Sequence, residues 1–495
     1  MYRRTFCKSA VLAVFAGVLP STGVLAALNP THAIPSDIEA VTADGEEIAI
    51  GRAAASEFAA SLDGALVLPG DERYEALRHV WNGMIDKHPS MIALCATDAD
   101  VAHAVEFAAD RRLRLAVRGG GHSFPGKSVC DRGLVIDLSP MQAVTVDPEA
   151  RTARVQGGAL LGQLDGATLA HHLVTTTGVV SHTGVGGFTL GGGLGRTDRV
   201  HGLAVDNVLG ATLVTAEGRV RKLGPGQHPD LFWAIRGGGG NFGVVTEFVY
   251  RLHPFDPMIY GGSLFYPWPK VRDVLTYWAE VNDSLPDGAS VEPQFYVNAE
   301  GERVMEVELY YTGAHAEGER VFAAFADSVP PSSSNLGLKA YRDVQTQWDV
   351  PLAHGQLDYL KSGLLPNLGE GLIDAIVGNY EGDDLPSMFF QHLGGASARI
   401  DPTATAYPHR KVHSNFGIAA VWQDSAETER RIARLREIHA AVQPWMQGFY
   451  TNLNEDTVRN THSNYGVNYE RLVGIKNRYD PTNLFRLNAN IEPTV

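Results

Sequence analysis

The segment RGGGHSFPG, from Arg118 to Gly126, joins three consecutive glycines to a histidine that follows them directly. It comes after the apolar run LRLAV and before the apolar run GLVIDLS. Glycines leave backbone N–H groups bare, so such a turn is suited to bind a phosphate or another flat polar group. The imidazole of His122 would then lie beside the bound group. A strand-to-strand turn with an incidental histidine is the structural alternative.

Further glycine-rich segments follow along the chain. The 53 glycines cluster at 119–121, 157–158, 184–195 and 237–243 and show no fixed period. This distribution indicates several tight backbone turns and argues against a fibrous or low-complexity chain. Each cluster offers another close backbone approach of the kind that a dinucleotide needs.

Length and composition limit the number of domains and the classes of partner. A chain of 495 residues exceeds one ordinary core, so at least two domains are expected. Apolar residues make up 44% and charged residues 20%, as in a folded globular protein. The net charge of −15 disfavours nucleic acid as a partner, because binding its phosphates needs a basic face.

The N-terminal 27 residues have the pattern of an export signal. Arg3 and Arg4 precede the apolar stretch 10–19, and small residues follow before a cleavage point. The paired arginines favour the twin-arginine export machinery, which carries folded proteins, over a plain Sec signal or a retained anchor. The export signal therefore predicts a periplasmic or secreted protein. No later stretch is long and apolar enough to span a bilayer. Cys95 and Cys130 lack metal-ligand spacing and are expected to be buried thiols and not a disulfide.

Apolar periodicity predicts two regions that differ in secondary structure. The run MIALCA at 91–96 reads as a buried strand, Asp98 as the N-cap of a helix, and the strands that follow as a β-α-β start. From about residue 255 the strands alternate apolar and polar positions, are rich in aromatics and have helices between them. We therefore predict an α+β cofactor domain at 28–254, an antiparallel-sheet domain at 255–450, and a segment 451–495 that returns to the first domain.

Taken in order, several segments resemble the FAD-linked oxidases of the berberine-bridge-enzyme type, within the vanillyl-alcohol-oxidase superfamily. They are RGGGHSFPG, GLVIDLS, TARVQGGALLG, GVGGFTLGGGLGR, DLFWAIRGGGGNFGVVTEF, ATAYPHR and NYERLVGIKNRYDPTNLF. The resemblance implies a two-part FAD-binding domain of the PCMH type and a substrate domain with a large antiparallel sheet flanked by helices. It also implies a flavin diphosphate on the backbone of 118–123.

The resemblance further implies that His122 is bonded covalently to the flavin 8-methyl group. Such a bond keeps the cofactor in place after export and raises the flavin's affinity for electrons. The cofactor contacts carried over from the family are Arg118, Gly119, Gly120, Gly121, His122, Ser123, Gly126, Gly178, Val180, Thr183, Gly184, Gly187, Gly191, Gly193, Leu194, Gly195, Asn241, Gly243, Val244, Val245, Tyr465, Asn468 and Tyr469.

Two positions of the segment GVVSHTGVGG depart from or refine the family pattern. Many members carry a cysteine there that makes a second bond to the flavin, and Val180 occupies its position. Cys130 lies in the loop after His122 and is not its equivalent. We therefore predict a single covalent attachment. Thr183 corresponds to a position where a small residue accompanies reaction with oxygen, although a packing role alone is the alternative.

The catalytic base of the family is missing. Many members have a tyrosine base in a Y-x-N-Y segment, where this chain has Leu453 after Tyr450 and Asn452. Leucine cannot move a proton, so the base lies elsewhere or is absent. The candidates are Tyr450, Gln391, His392, Asn415, Tyr310 and Tyr311, each with packing in the sheet as the alternative. His409 and Arg410 are expected to anchor the structure.

The resemblance thus implies an exported flavoprotein that takes hydride from an alcohol or a related small molecule and is reoxidised by O2 to give H2O2. A dehydrogenase with another acceptor is one alternative. A flavin-bearing binding or resistance protein is the other, because the usual base is absent. No metal is expected. The aromatics of the second domain suit sugars, phenols and polyketides alike, so they select no substrate.

Overall fold

The computed structural model describes residue 34 and residues 36–453 and 458–495. The expected export signal, residues 1–27, lies outside these ranges. Within the described part of the chain, no helix has the length and apolar character that crossing a membrane requires.

Strands and helices alternate through the first half of the chain, and longer strands follow. The strands in chain order are β1 (Ile38–Val41), β2 (Glu47–Ile50), β3 (Ala65–Val67), β4 (Met91–Leu94), β5 (Leu115–Arg118), β6 (Leu134–Asp137), β7 (Val144–Asp147), β8 (Thr152–Gln156), β9 (Leu173–Val174), β10 (Val208–Val214), β11 (Val220–Leu223), β12 (Val244–Arg251), β13 (His253–Pro254), β14 (Met258–Pro267), β15 (Ala289–Val297), β16 (Arg303–Tyr311), β17 (Ser333–Ser334), β18 (Gly337–Ala340), β19 (Leu357–Leu365), β20 (Ser387–His392) and β21 (Ser414–Trp422). The helices are α1 (Arg52–Ala60), α2 (Tyr74–Arg78), α3 (Asp98–Asp110), α4 (Leu161–Leu169), α5 (Val185–Leu190), α6 (Asp198–His201), α7 (Pro229–Ala234), α8 (Val271–Val281), α9 (His315–Ser328), α10 (Tyr341–Thr346), α11 (Glu370–Asn379), α12 (Gly395–Ala398), α13 (Thr428–Val442), α14 (Val458–Tyr465) and α15 (Tyr469–Tyr479).

Two larger sheets, together with the two-stranded sheets β1-β2 and β9-β13, make up the part of the chain before residue 255. One has the strand order β3-β4-β6-β5, with β4, β6 and β5 parallel, so the β-α-β start is confirmed. The other is antiparallel, in the order β11-β10-β12-β8-β7, and contains the hairpin of β10 and β11. The glycine-rich turn after β5 therefore starts at the end of a parallel strand, where open sheets leave a crevice for ligands.

A large antiparallel sheet forms the second part. Its order is β17-β14-β16-β15-β20-β21-β19, with β18 paired to β14. One face packs on α8, α9, α11 and α13, and alternate residues such as Phe295, Val307 and Ile418 are fully buried there. The intervening residues point to the opposite face, toward the first part of the chain. That second face carries the polar groups described below.

The C-terminal segment packs back on the first part. Leu472 of α15 joins the core that contains Phe242 and Phe248, and Phe485 joins the core beneath β4 and β6. The buried ammonium of Lys476 donates to the backbone carbonyl of Asn241 at 2.8 Å, to Asp480 at 2.6 Å and to the carbonyl of Phe485 at 3.1 Å. A buried charge with this many partners holds the segment firmly in place.

Local details refine two of the sequence predictions. The cap of α3 is Thr97, whose hydroxyl accepts from the backbone N–H of Asp100, and Asp98 is the first helical residue. The prediction of Asp98 as the cap was therefore wrong by one position, because threonine caps as aspartate does. Cys95 and Cys130 are both buried free thiols, as expected.

Candidate functional site

A cavity of about 880 Å³ lies between the glycine-rich segments and the polar face of the large sheet. Backbone of the glycine clusters forms one wall, and side chains of β15, β16, β19, β20 and β21 form the other. Of the predicted cofactor contacts, the residues that line it are Gly119, Gly120, Gly121, His122, Ser123, Gly178, Val180, Thr183, Gly184, Gly187, Gly191, Leu194, Gly243, Val244 and Val245.

The glycine wall fits the backbone cradle that a dinucleotide requires. A Cβ on Gly120 would lie 2.4 Å from the backbone nitrogen of Gly184, and a Cβ on Gly184 would lie 2.2 Å from that of Gly120. Neither position accepts a side chain, so the two segments meet through bare backbone. The turn after β5 and the loop before α5 therefore meet backbone to backbone, and both line the cavity.

His122 lies in this wall with two other histidines beside it. Its ring stacks on Trp81 at 4.8 Å between centroids, and its Nε2 lies 2.7 Å from Nδ1 of His182. One nitrogen of His354 lies within 4.8 Å of both. Burial holds the pKa of His122 well below its usual range, and burial also lowers the pKa of His182. The imidazole of His122 is therefore neutral, which is its nucleophilic form.

Eight predicted cofactor contacts do not line the cavity. They are Arg118, Gly126, Gly193, Gly195, Asn241, Tyr465, Asn468 and Tyr469. Gly126 and Gly193 adopt φ values of 67° and 77°, and a Cβ on Gly195 would lie 1.9 Å from the carbonyl oxygen of Thr177. These glycines shape the turns that surround the cavity.

The polar members of that group hold the walls together. The guanidinium of Arg118 lies 3.7 Å from Asp137 and donates to the carbonyl of Leu77. Asn241 donates to the carbonyl of Ala489 at 3.0 Å and to the hydroxyl of Tyr465 at 3.2 Å. Asn468 donates to three carbonyls of the loop before β21, and Tyr469 packs beside His462. In this geometry these residues fix the C-terminal segment against the glycine turns.

A buried charge cluster forms the far end of the cavity, on the large sheet. Glu292 and Glu308 are paired across β15 and β16, and the guanidinium of Arg196 lies 2.9 Å from the first carboxylate and 3.7 Å from the second. Burial raises the pKa of Glu308 to about 7, and the nearby charge of Glu292 adds to this effect while Arg196 opposes it. Nε and Nη2 of Arg196 have no hydrogen-bond partner among the described residues. The cluster thus offers both an acid–base group and unused donors to a ligand.

Gln347 and Tyr310 support this cluster from behind. The amide of Gln347 donates to Glu308 at 2.8 Å and to the hydroxyl of Tyr310 at 2.7 Å. The guanidinium of Arg196 lies over the ring of Tyr310, 4.4 Å from its centroid. Burial raises the pKa of Tyr310 well above its usual range, so this tyrosine stays protonated and is a support and not a base.

A second buried carboxyl lies at the opposite edge of the same wall. Asp358, at the start of β19, lines the cavity, and its Oδ1 has no hydrogen-bond partner among the residues that the structure describes. Burial alone raises its pKa to about 7. Asp358 is therefore mostly neutral below that pH.

The structure separates the predicted base candidates. Tyr450 and Gln391 line the cavity, and Asn415 donates to the side-chain oxygen of Gln391 at 2.8 Å. His392 lies on the other face of β20, where it packs against Trp278 and accepts from the backbone N–H of Val291. This geometry gives His392 no access to a ligand in the cavity.

Three more of the singled-out positions have defined surroundings. Tyr311 packs in the core on the helix side of the sheet, away from the cavity. Leu453 lines the cavity within the 3-10 turn Thr451–Leu453. Arg410 is buried and makes a bidentate pair with Asp206 at 2.7 and 2.9 Å, an anchoring role of the kind expected from the sequence.

Sequence reasoning missed the residues that give the cavity its charge and its histidine cluster. They are Trp81, His182, Arg196, Glu292, Glu308, His354 and Asp358. A signal existed for the glutamates, because Glu306 and Glu308 alternate with Met305 and Val307 along β16, which predicts one polar face. For the histidines there was none, since His122, His182 and His354 are far apart in sequence.

Comparisons with known proteins agree with this geometry. Residues 89–224 match the family described as FAD binding domain, and residues 449–492 match the family described as berberine and berberine like. An FAD-linked oxidoreductase of Dictyostelium discoideum is 31% identical, over 88% of this chain and 96% of the relative. The (R)-6-hydroxynicotine oxidase of Paenarthrobacter nicotinovorans is 30% identical, over 88% of this chain and 97% of the relative.

Solved structures give the same result for the fold. The crystal structure of 6-hydroxy-D-nicotine oxidase from Arthrobacter nicotinovorans superposes with a TM-score of 0.80 at 29% identity and covers 87% of this chain and 98% of that one. The expected α+β class, with a PCMH-type domain and a large antiparallel sheet, is confirmed.

Proposed function

The chain belongs to the berberine-like family of FAD-linked oxidoreductases, and on that premise we propose that it is an oxidase with flavin bonded to His122, acting on a small alcohol or a related molecule. One observation carries the proposal. A single cavity joins the glycine wall and His122 to a buried carboxylate pair on the facing sheet. This cavity can hold a cofactor and a substrate side by side, as a hydride transfer requires.

The residues that line the glycine wall fit FAD. Gly119–Gly121, Gly184 and Gly243 supply bare backbone to the cofactor, and Lys127 adds a positive charge to the same lining. FAD, when bound, accepts a hydride from the substrate carbon and passes the electrons onward. Val180 is buried in the wall and has no group that can bond to the ring, which supports one covalent attachment.

Glu308 is the proton acceptor in this proposal. A substrate hydroxyl must lose its proton as hydride leaves the adjoining carbon, and a base with a pKa near the working pH is the most effective. Glu308 has a pKa of about 7 and lines the cavity. Tyr450 does not meet the requirement, because burial raises its pKa to about 12, and Leu453 has no basic atom.

Neighbouring groups position the substrate. Nε and Nη2 of Arg196 make no hydrogen bond among the described residues, and they can donate to a substrate oxygen beside Glu308. The amide of Gln391, held by Asn415, adds a polar contact on the next strand. The side-chain amides of Gln391 and Asn415 do not take up a proton, so these two residues orient the substrate. Phe389 and Tyr296 line the same wall and give it an apolar surface for the rest of the substrate.

Oxygen as the electron acceptor is supported by the small side chain of Thr183, which lines the cavity. We also propose export by the twin-arginine machinery, supported by Arg3 and Arg4 before an apolar stretch. Replacing both arginines by lysine tests export, since cell fractionation should then find the protein retained in the cytoplasm. Fractionation equal to that of the wild-type protein would contradict this route.

The reaction is tested with the purified holoprotein. A panel of sugars, oligosaccharides, phenolic alcohols and cyclic amines is added without oxygen, and loss of the yellow flavin absorbance identifies the substrate. Air is then admitted. Fast return of the yellow colour with formation of H2O2 supports the oxidase. Bleaching followed by slow reoxidation, together with fast reoxidation by a quinone, would contradict it in favour of a dehydrogenase.

A further inference from the structure

The second histidine of the cluster has a geometry that the substrate reaction does not use. His182 lies in the loop before α5, where Val180 and Thr183 face the main cavity. Its Nδ1 is 2.7 Å from Nε2 of His122, a distance at which one ring donates to the other. Its own Nε2 is buried, and a hydrogen bond from the ring to the backbone of Asp349 works against the lowering of its pKa by burial.

The surroundings of the two rings differ in a way that gives the hydrogen bond a direction. The groups near His122 are His182 and His354, which further depress its already low pKa. Beside His182, the carboxylate of Asp349 opposes the effect of burial. Asp349 is held there by the backbone N–H and hydroxyl of Ser181, at 2.8 and 2.5 Å. His182 is thus the better proton acceptor of the pair.

A route for the proton lies on the far side of His182. His182 and Ser181 line a second cavity of about 270 Å³, together with Asp165 and Arg342. His182 therefore lies between His122, which lines the flavin cavity, and this second cavity. A proton on the ring of His182 is thus held beside the second cavity and outside the flavin cavity.

We propose that His182 accepts the imidazole proton of His122 as His122 becomes bonded to the flavin. The proposal rests on the attachment at His122 in the proposed function. The contact with His182 engages Nε2 of His122, so Nδ1 is the nitrogen that bonds to the 8-methyl carbon of FAD. His182 is then a catalytic group for the protein's own maturation, and it also fixes the tautomer of His122.

In this step a C–N bond forms between Nδ1 of His122 and the methyl carbon, while the Nε2–H bond of His122 and one C–H bond of the methyl group break. His182 receives the imidazole proton, the methyl proton is released to solvent, and the electron pair of the C–H bond stays on the ring system. O2 removes those two electrons and, with two protons, becomes H2O2.

His354 provides a matched control. It belongs to the same cluster, with its ring centroid 5.8 Å from that of His122 and 4.9 Å from that of His182, but the bond to Nε2 of His122 is made by His182. It is also exposed. His354→Ala thus removes a neighbouring imidazole and keeps the proposed acceptor.

The test follows attachment directly and needs no substrate. Wild-type, His182→Ala, His182→Gln and His354→Ala apoproteins are made in riboflavin-starved cells and mixed with FAD in air. Acid-quenched samples are assayed by intact mass and by flavin fluorescence on denaturing gels. General-base catalysis contributes roughly 10²–10⁴-fold. We expect both His182 variants to attach flavin at least about tenfold more slowly than wild type, and His354→Ala to match wild type.

Two further readouts separate proton transfer from packing. Added imidazole should accelerate attachment in His182→Ala and leave wild type unchanged. His182→Gln keeps a hydrogen-bonding group and should remain slow, and it carries the test if the alanine variant does not fold, as judged by its melting curve. NMR of the flavinyl peptide should place the bond at Nδ1.

Attachment at the wild-type rate in either folded His182 variant would overturn the proposal, as would a bond at Nε2 or an equal loss in His354→Ala. These failures leave the proposed function intact, because wild type still gains the mass of one FAD. Wild-type protein that binds FAD and never gains that mass would overturn both.

Discussion

Glu292 and Glu308 lie directly opposite each other on β15 and β16, with one guanidinium, that of Arg196, between their carboxylates. A single cation cannot neutralise two buried carboxylates, so one of them retains a proton near neutral pH. The effect falls mainly on Glu308, whose pKa rises to about 7 through burial. The sheet thus holds a proton-exchanging group at the wall of the cavity that faces the glycine cradle.

The first prediction concerns Glu308→Gln. Glu308 accepts a proton only as the carboxylate, so wild-type kcat/KM should fall as the pH decreases below about 7. The variant should lose roughly 10²–10⁴-fold in kcat/KM, and its kcat/KM should not fall further as the pH decreases below about 7, the acid limb of the wild-type profile. The profile is measured with the compound that bleaches the flavin in the panel. Glu302→Gln, at an exposed position of the preceding turn, is the control and should keep the wild-type profile.

A Glu308→Gln profile with the wild-type limb would contradict the assignment of Glu308. Asp358 would then be the remaining buried carboxyl of the cavity wall with a pKa near 7.

Thr183 provides the second prediction. Its short side chain lines the cavity beside the segment that approaches the cofactor. Thr183→Leu adds bulk and should slow reoxidation by O2 at least about tenfold, because it blocks access and leaves the hydride step nearly unchanged. Stopped-flow mixing of reduced enzyme with oxygenated buffer measures the rate. Thr183→Val has the same shape without the hydroxyl and should react as wild type does; slow reoxidation in that variant would show that polarity and not size matters.

Asp358 is expected to make stability depend on pH. Its folded pKa of about 7 lies above the ordinary value, so the folded state holds a proton between pH 4 and 7 that the unfolded chain releases. Stability should therefore fall as the pH rises through this range. Asp358→Asn removes the titrating group, and its melting temperature should exceed that of wild type by more at pH 8 than at pH 5. An equal difference at both pH values would show that Asp358 is ionised in the fold.

The Arg410 anchor gives a prediction for stability alone. Arg410 is fully buried with Asp206, and its Nη2 also donates to Thr405 at 2.6 Å. Arg410→Met leaves Asp206 without its cation and should lower the free energy of unfolding by about 3–5 kcal/mol. Arg399→Met breaks an exposed pair with Asp287, which solvent screens, and should cost far less. Denaturant unfolding measures both, and equal losses would contradict the anchoring role.

The parts of the site that come from local sequence could be predicted. The run from Arg118 to Gly126 predicts the cofactor turn, since consecutive glycines indicate a backbone that a ligand can approach without meeting side chains. The position of Val180 likewise follows from a motif read in one segment. Alternation along β16 predicts a sheet with one polar face.

The pairing of distant residues could not be predicted in the same way. The contact of Arg196 with Glu292 and Glu308 depends on strand register and on where α6 meets the sheet. His392 was predicted as a base candidate, but the sequence does not show which face of a strand carries a histidine. In the structure His392 lies on the helix side of the sheet. Asn241 and Tyr465 each lie in a segment that resembles the family and were predicted to contact the cofactor. In the structure they hydrogen-bond to each other and to the C-terminal backbone.

The central claim is that the imidazole of His122 carries the flavin. The most direct measurement is peptide mapping by mass spectrometry of acid-denatured protein purified from its native host or a flavin-replete one. We expect the peptide containing His122 to carry the mass of one FAD, the peptide containing Val180 to be unmodified, and His122→Ala to release all its flavin into the acid supernatant. An unmodified His122 in yellow wild-type protein, or flavin bonded to another residue, would contradict the account.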